Sequence, residues 1–216
     1  MKAYSNILFD LDGTIINSKD GIKNSFEHAF KKLGIIVKNC EEFEQFIGIN
    51  SLNKVFKHYN LSKSERLFAI NFFREYYENR GMFENSLYEG ADNLLAKLSE
   101  RNKIVGLATS KPKPFAQKIL KNYNLDKYFN VIEGSNLENE NLTKTDIIKI
   151  ALDKMKNKNP GSTVMIGDRF YDVQGAKNNS IDCIAVEYGY NSKDEFLNHK
   201  PDYVVSNINE LEQYLI

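Results

Sequence analysis

The residues Ile7-Leu8-Phe9-Asp10-Leu11-Asp12-Gly13-Thr14 decide which fold is predicted for this chain. Asn6 to Phe9 form a short, largely apolar run that ends before Gly13, which is typical of a buried strand followed by a turn. Ligands of open α/β sheets bind outside the carboxyl ends of the strands, where Asp10 and Asp12 would lie. Two acids one residue apart can both reach one cation, one through its side chain and the other through its carbonyl. A hard, oxygen-seeking ion such as Mg²⁺ suits such a site.

The same residues also fit an ordinary surface turn. Asp and Gly favour turns, and Thr14 can cap a helix that follows. On this segment alone both interpretations stand, because a short motif needs structural context before a function is assigned to it.

Composition indicates a sizeable core and excludes two kinds of partner. A chain of 216 residues is long enough for one large domain or for a core domain with a smaller insertion. The 14 Phe and 12 Tyr residues supply the bulk of an apolar interior. The 29 basic and 29 acidic side chains balance, so we expect no nucleic acid polymer and no membrane surface as a partner.

The lack of a recognisable targeting segment and the spacing of the cysteines predict a cytoplasmic protein. No apolar run has the length of a signal peptide or approaches the roughly 20 residues that cross a bilayer. Cys40 and Cys183 are far apart and match no zinc or redox spacing. We interpret both as buried thiols, which is the ordinary state of cysteine in a cytoplasmic protein.

Helical spacing dominates the region after the first strand. Apolar residues recur at helical intervals from about 17 to 80, with a possible end at Gly34, and we find no convincing strand there. Strand signals return after Gly81 and alternate with helical patterns. The predicted strands cover residues 6–9, 103–108, 131–132, 163–166, 181–186 and 203–205.

This alternation predicts βαβ units, and therefore an α/β fold with a doubly wound parallel sheet. The helical stretch is predicted to be a small inserted domain. We assign residues 1–15 and 82–216 to the core domain and residues 16–81 to the insertion.

Polar residues follow several of the predicted strands. The second strand runs into Thr109-Ser110-Lys111, a helix after the third opens at Lys144, and the fourth runs into Gly167-Asp168 with Asp172 shortly after. Because parallel strands end at one edge of a sheet, these residues should converge on Asp10. Phosphoryl transfer uses such parts: a carboxylate nucleophile, a cation, and fixed positive groups.

Together these segments resemble the haloacid dehalogenase superfamily, specifically its phosphatases with a helical cap, a group that includes phosphoglycolate phosphatase. The family's four motifs match Asp10 to Thr14, Thr109, Lys144, and Gly167-Asp168 followed by Asp172. Further segments, outside or around these motifs, resemble the neighbouring 5′-nucleotidase-like branch. They are Ser86-Leu87-Tyr88-Glu89-Gly90, Ala108-Thr109-Ser110-Lys111-Pro112, Met165-Ile166-Gly167-Asp168-Arg169 and Tyr188-Gly189-Tyr190.

The resemblance implies a Mg²⁺-dependent phosphatase that acts on a small phosphorylated metabolite through an aspartyl-phosphate. Asp10 would be the nucleophile and Asp12 the general acid and base. Asp168 would bind Mg²⁺ with Asp10 and Asp12, and Asp172 would bind it or hold metal-bound water.

Thr109, Lys144 and the backbone N–H of Ser110 would hold phosphoryl oxygens. For Lys111, a place in this group and a position that faces solvent just before Pro112 both stand. The helical insertion would close over the site, hinged near residues 15–17 and 80–82, with the loop at Gly48 facing the substrate. We expect a monomer or a homodimer.

Two other functions remain open. A phosphosugar mutase shares the aspartyl-phosphate and differs in how the cap retains a bisphosphate intermediate. A non-catalytic phosphate-binding module could use the same fold, although no motif residue is lost here. A dehalogenase is disfavoured, because Asp12 supplies an acid and base that halide departure does not need.

Overall fold

The chain folds into two units, seen in a computed structural model that describes residues 2–37, 40–48, 51–137, 142–155, 159–192 and 194–216. The first unit comprises Met1–Asn17 and Leu87–Ile216, and the second comprises Ser18–Ser86. The side chains of Cys40, Glu41 and Glu44 lie outside this description, as do Ile49 and Asn50 of the predicted cap loop. The buried state predicted for Cys40 therefore falls outside the described residues, whereas Cys183 is a buried free thiol.

A six-stranded parallel sheet forms the first unit. Its strands are β1 (Asn6–Phe9), β4 (Ile104–Pro112), β5 (Val131–Ser135), β6 (Thr163–Gly167), β7 (Asp182–Val186) and β8 (Tyr203–Val205), in the spatial order β5-β4-β1-β6-β7-β8. β1 lies between β4 and β6, with Leu8 opposite Gly106 on one side and Met165 on the other. The order reverses at β1, so the predicted doubly wound α/β fold is confirmed.

In the part of the chain that the structure describes, five helices connect strands of this sheet, and a sixth follows the last strand. They are α4 (Ala91–Glu100), α5 (Lys113–Asn122), α6 (Lys144–Lys154), α7 (Phe170–Asn178), α8 (Glu195–His199) and α9 (Ile208–Leu215). One core cluster includes Leu8, Ile148, Met165 and Val173, all with 0% exposure. The strands read as continuous apolar runs because the inner ones are buried on both faces.

Three features of the strands were not predicted. β4 runs four residues beyond its expected end, and its pairing with β5 shifts between Thr109 and Pro112. β5 continues to Ser135. The two-residue strands β2 (Ile16–Asn17) and β3 (Ser86–Leu87) pair in a separate sheet, and two residues are too few to show a period in sequence.

The second unit is built from α1 (Lys19–Lys32), α2 (Leu52–His58) and α3 (Lys63–Asn79) with a 3-10 helix at Cys40–Phe46. Ser62 and Glu65 form a capping box that fixes the start of α3. Phe26 lies at the centre of the core, with ring centroids 4.9 Å from Phe43 and 4.7 Å from Phe73. Phe26, Phe43 and Phe73 therefore act as packing residues in the core of this unit.

A search of the described residues finds no helix with both the length and the apolar character needed to cross a membrane.

Candidate active site

Asp10 lies directly after β1, where the sheet holds its backbone. Its N–H donates to the carbonyl of Ile166 at 2.8 Å, and its Oδ1 accepts from the N–H of Leu11 at 2.7 Å. The residue is 5% exposed. The first predicted site residue therefore has a fixed carboxylate at the carboxyl edge of the sheet.

Three carboxylates converge at this edge. Asp168 follows β6, Asp172 lies in the first turn of α7, and both are fully buried. One oxygen from each, and one from Asp10, lie within 4.8 Å of one another. Backbone donors hold the two buried acids: the N–H of Tyr190 donates to Asp168 Oδ2 at 2.7 Å, and that of Arg169 to Asp172 Oδ2 at 3.1 Å.

These acids destabilise one another when all are ionised. Burial, and then the charges of Asp172 and Asp10, raise the pKa of Asp168 well above its usual range. Burial also raises the pKa of Asp172 to about 6, although Lys144 opposes this increase. Among the described residues, Asp168 Oδ1 is a buried oxygen without a hydrogen-bond partner. Three converging carboxylates and one such oxygen fit a hard divalent cation.

Lys144 supplies a buried positive charge to the same group. It is the first residue of α6, whose start is fixed by a capping box between Thr143 and Asp146. Its Nζ lies 2.7 Å from Asp10 Oδ2 and 2.8 Å from Asp172 Oδ1. Burial alone would lower the pKa of Lys144, but the two carboxylates outweigh burial and raise it. The side chain is therefore a cation that links the nucleophile candidate to α7.

Asp12 has a different partner. Its carboxylate does not belong to the group of three acids, and Lys111 Nζ lies 2.7 Å from its Oδ2 and 2.9 Å from its Oδ1. Lys111 is 8% exposed, so of the two positions open for it from sequence the solvent-facing one is wrong. Thr109, buried beside it, accepts the N–H of Lys111 on Oγ1 at 3.2 Å. Lys111 lies in the part of β4 where the pairing with β5 is shifted.

Gly13 allows the loop after β1 to lie against Asp168. Its φ is +79°, and a Cβ placed there would lie 2.1 Å from Asp168 Oδ2. Only glycine combines that backbone conformation with so close an approach.

Seven sequence-predicted residues lie in the first unit, toward the carboxyl ends of β1, β4 and β6 or at the start of a following helix: Asp10, Asp12, Thr109, Ser110, Lys144, Asp168 and Asp172. Gly48 lies in the second unit, in a turn with φ +82°. Sequence reasoning missed the Lys111–Asp12 ion pair and the N–H that Tyr190 donates to Asp168. The one signal for the latter was the Tyr188-Gly189-Tyr190 segment, read only as a family similarity.

Comparison with known families agrees with this geometry. The sequence model of the family described as Haloacid dehalogenase-like hydrolase matches residues 7–186, which include all seven predicted site residues of the first unit.

Individual relatives match along nearly the whole chain. A 5′-nucleotidase of Pseudomonas aeruginosa is 35% identical over 98% of this chain and 96% of its own length. Tyrosine-protein kinase PtkA of Mycobacterium tuberculosis is 34% identical over 97% of this chain and 72% of its own. The crystal structure of a putative phosphatase from Clostridium difficile is 38% identical, covers both chains completely and has a TM-score of 0.92.

Proposed function

Since the chain belongs to the haloacid dehalogenase-like hydrolases, we propose that it is a Mg²⁺-dependent phosphatase that hydrolyses a small phosphomonoester through an aspartyl-phosphate. One observation carries the proposal. Lys144 lies 2.7 Å from Asp10, and Asp10 belongs to a buried group of three acids. A carboxylate nucleophile, a fixed positive charge and oxygen ligands for a hard cation therefore occur together.

Asp10 carries the phosphoryl group in this proposal. A carboxylate can attack phosphorus without first transferring a proton to a base. Asp10 Oδ1 is engaged by the N–H of Leu11 and Oδ2 by Lys144, so its orientation is fixed before substrate arrives. Lys144 offsets part of the repulsion between the carboxylate and the phosphoryl oxygens. The hydroxyl of Thr109 and the N–H of Ser110 are proposed to hold those oxygens.

Asp12 transfers the protons. It donates one to the departing oxygen in the first step, and takes one from the attacking water in the second, so the residue returns to its starting state. Asp12 follows Asp10 by two positions, on the same loop after β1. That separation allows one acid to attack while the other serves the leaving group.

Asp10, Asp168 and Asp172 would hold Mg²⁺, together with the carbonyl of Asp12. When bound, the ion supplies positive charge that offsets the repulsion between the phosphoryl group and the carboxylates. The backbone N–H groups of Tyr190 and Arg169 keep the carboxylates of Asp168 and Asp172 oriented toward this point.

The proposed substrate class is a small phosphomonoester of the kind used by 5′-nucleotidases or phosphoglycolate phosphatases. The 5′-nucleotidase relative, which matches over nearly its full length, supports a nucleoside monophosphate. We further propose that the second unit, Ser18–Ser86, serves as a cap and that its Gly48 turn contributes to substrate selection.

A substrate and metal screen tests this function. We expect hydrolysis of an aryl phosphate and of at least one among nucleoside monophosphates, phosphoglycolate, sugar phosphates and pyrophosphate. Hydrolysis should stop in excess chelator and return with Mg²⁺. Full activity in chelator would contradict the proposal.

Single substitutions in the acid cluster should change the Mg²⁺ requirement in a graded way. Asp168→Ala should raise the Mg²⁺ concentration for half-maximal rate sharply, and Asp172→Ala less so. Asp92→Ala, at an exposed acid of α4, is the matched control and should leave that concentration unchanged. Equal effects in all three variants would show that Asp168 and Asp172 do not hold the ion.

A further inference from the structure

Two buried lysines pair with three of the four site carboxylates. Lys144 pairs with Asp10 and Asp172, which belong to the candidate cation site. Lys111 pairs with Asp12 and approaches both of its oxygens, at 2.7 Å and 2.9 Å. The side chains of Lys111 and Asp12 are only 5% and 8% exposed, so water screens their attraction weakly.

The neighbouring strand β5 fixes the backbone around Lys111. The pairing of β4 with β5 shifts between Thr109 and Pro112, so Ser110 and Lys111 bulge out of the regular ladder. Gly134 of β5 backs this bulge, because a Cβ there would lie 2.5 Å from the carbonyl oxygen of Lys111. Directly after the bulge, Lys113 pairs with Glu133 at 3.1 Å. The position of Lys111 is therefore set by the sheet.

A hard divalent cation attracts any carboxylate within reach, and its affinity rises with the number of charged ligands. Asp12 is two residues from Asp10, and its carboxylate stays outside the group of three acids. If that carboxylate turned onto the cation, the protein would bind the ion more tightly. It would also lose the group that exchanges protons with the leaving oxygen and the water.

We propose that Lys111 is a positioning residue that holds the Asp12 carboxylate away from the cation site and keeps it directed at the leaving group. This inference rests on the proposed phosphatase function, in which Asp12 is the general acid and base. Removal of a residue that only supports the structure would weaken cation binding, whereas removal of Lys111 is expected to have the opposite effect. Its removal should strengthen cation binding while it slows catalysis.

A double-mutant cycle measured by calorimetry tests the inference. Mg²⁺ affinity is compared in the wild type, Lys111→Met, Asp12→Asn and the double variant. We expect Lys111→Met to bind Mg²⁺ roughly tenfold more tightly, because a fourth carboxylate becomes available. In the Asp12→Asn background the same substitution should change the affinity little, since an amide adds no charge to the site.

Turnover supplies the second readout. Lys111→Met should lower kcat more for an alkyl phosphate, whose leaving oxygen needs a proton, than for an aryl phosphate. Lys111→Arg should restore part of kcat. Lys113→Met, which removes a neighbouring lysine paired with Glu133, is the matched control and should change neither quantity. If circular dichroism shows that the Lys111→Met variant does not fold, Lys111→Gln serves as the second variant.

Each contrary result is distinct. Equal tightening in both backgrounds would make Lys111 a general positive charge and overturn the positioning role. Weaker Mg²⁺ binding in Lys111→Met and Lys111→Gln would assign a structural role instead. If the wild type binds no Mg²⁺, the proposed function itself fails, and the inference fails with it.

Discussion

At the scale of single residues, the site is a problem of charge. Asp10, Asp12, Asp168 and Asp172 are all buried, and burial favours the neutral form of a carboxylic acid. Lys111 and Lys144 offset part of this cost, each through two contacts shorter than 3 Å. Pairing also separates the roles, because Lys144 contacts the proposed nucleophile and Lys111 contacts the proposed acid.

Asp12→Asn separates the two half-reactions. An amide can neither give nor take the proton, so both steps should slow, and slow most with an alkoxide leaving group. An aryl phosphate should still release its phenol in a burst, followed by slow release of phosphate. Single-turnover measurement of the two products checks this. Equal slowing for every leaving group, with no burst, would mean that Asp12 acts through the metal site alone.

The acids of this site and Lys144 could be predicted from sequence, whereas the partners of Asp12 and Asp168 could not. Asp10 and Asp168 each follow an apolar run, and parallel strands end at one edge, so their convergence follows from the pattern. Lys111 pairs with Asp12 from the stretch in which β4 is bulged after Thr109, and nothing in Thr109-Ser110-Lys111-Pro112 shows that shift. The hydrogen bond from the N–H of Tyr190 to Asp168 depends on the path of the loop after β7, and the periodicity of a sequence contains no information on that path.

At the scale of elements, the loop after β1 depends on a tight turn at Gly13. Its positive φ and its approach to Asp168 place two demands on one residue. The start of α6 is a contrasting case. Its capping box of Thr143 and Asp146 is a local interaction, of the kind that sequence spacing can indicate.

Gly13→Ala should therefore abolish most activity. The added Cβ would displace Asp168, and a shift of about 1 Å in a site residue can cost a hundredfold in rate. Gly34→Ala is the matched control: φ there is +71°, with nothing within 4 Å of the added carbon. It should lose about 1 kcal/mol of stability to backbone strain and keep its kcat. Equal loss of activity in both variants would point to backbone strain in place of the displaced acid.

At the scale of the whole molecule, the chain contains two cores built differently. The first unit packs aliphatic residues around a parallel sheet, and the second packs aromatic rings between helices. The sequence predicts that residues 16–81 form the inserted domain. The second compact unit of the structure is Ser18–Ser86. The two-residue strands β2 and β3 lie at these boundaries, and two residues are too few for sequence periodicity to locate a boundary.

Phe26→Ala should destabilise the second unit selectively. Phe26 is 1% exposed and contacts several rings, so its removal should cost about 3–5 kcal/mol. Hydrogen exchange should quicken in α1 and α3 and stay unchanged in β1 and β6. Phe68→Ala, at a side chain 58% exposed, should change the free energy of unfolding by less than about 0.5 kcal/mol. Equally faster exchange in both units would mean that they unfold as one.

The central claim is that Asp10 carries the phosphoryl group, and trapping that group tests it most directly. Asp12→Asn enzyme is mixed with an aryl phosphate and Mg²⁺, quenched in acid during the burst, and its peptides are analysed by mass spectrometry. The account predicts one added phosphoryl group on the peptide that contains Asp10. Asp10→Asn, expected to retain less than about a hundredth of the wild-type rate, should show none. Phenol release without a phosphorylated peptide, or substantial turnover by Asp10→Asn, would contradict the account.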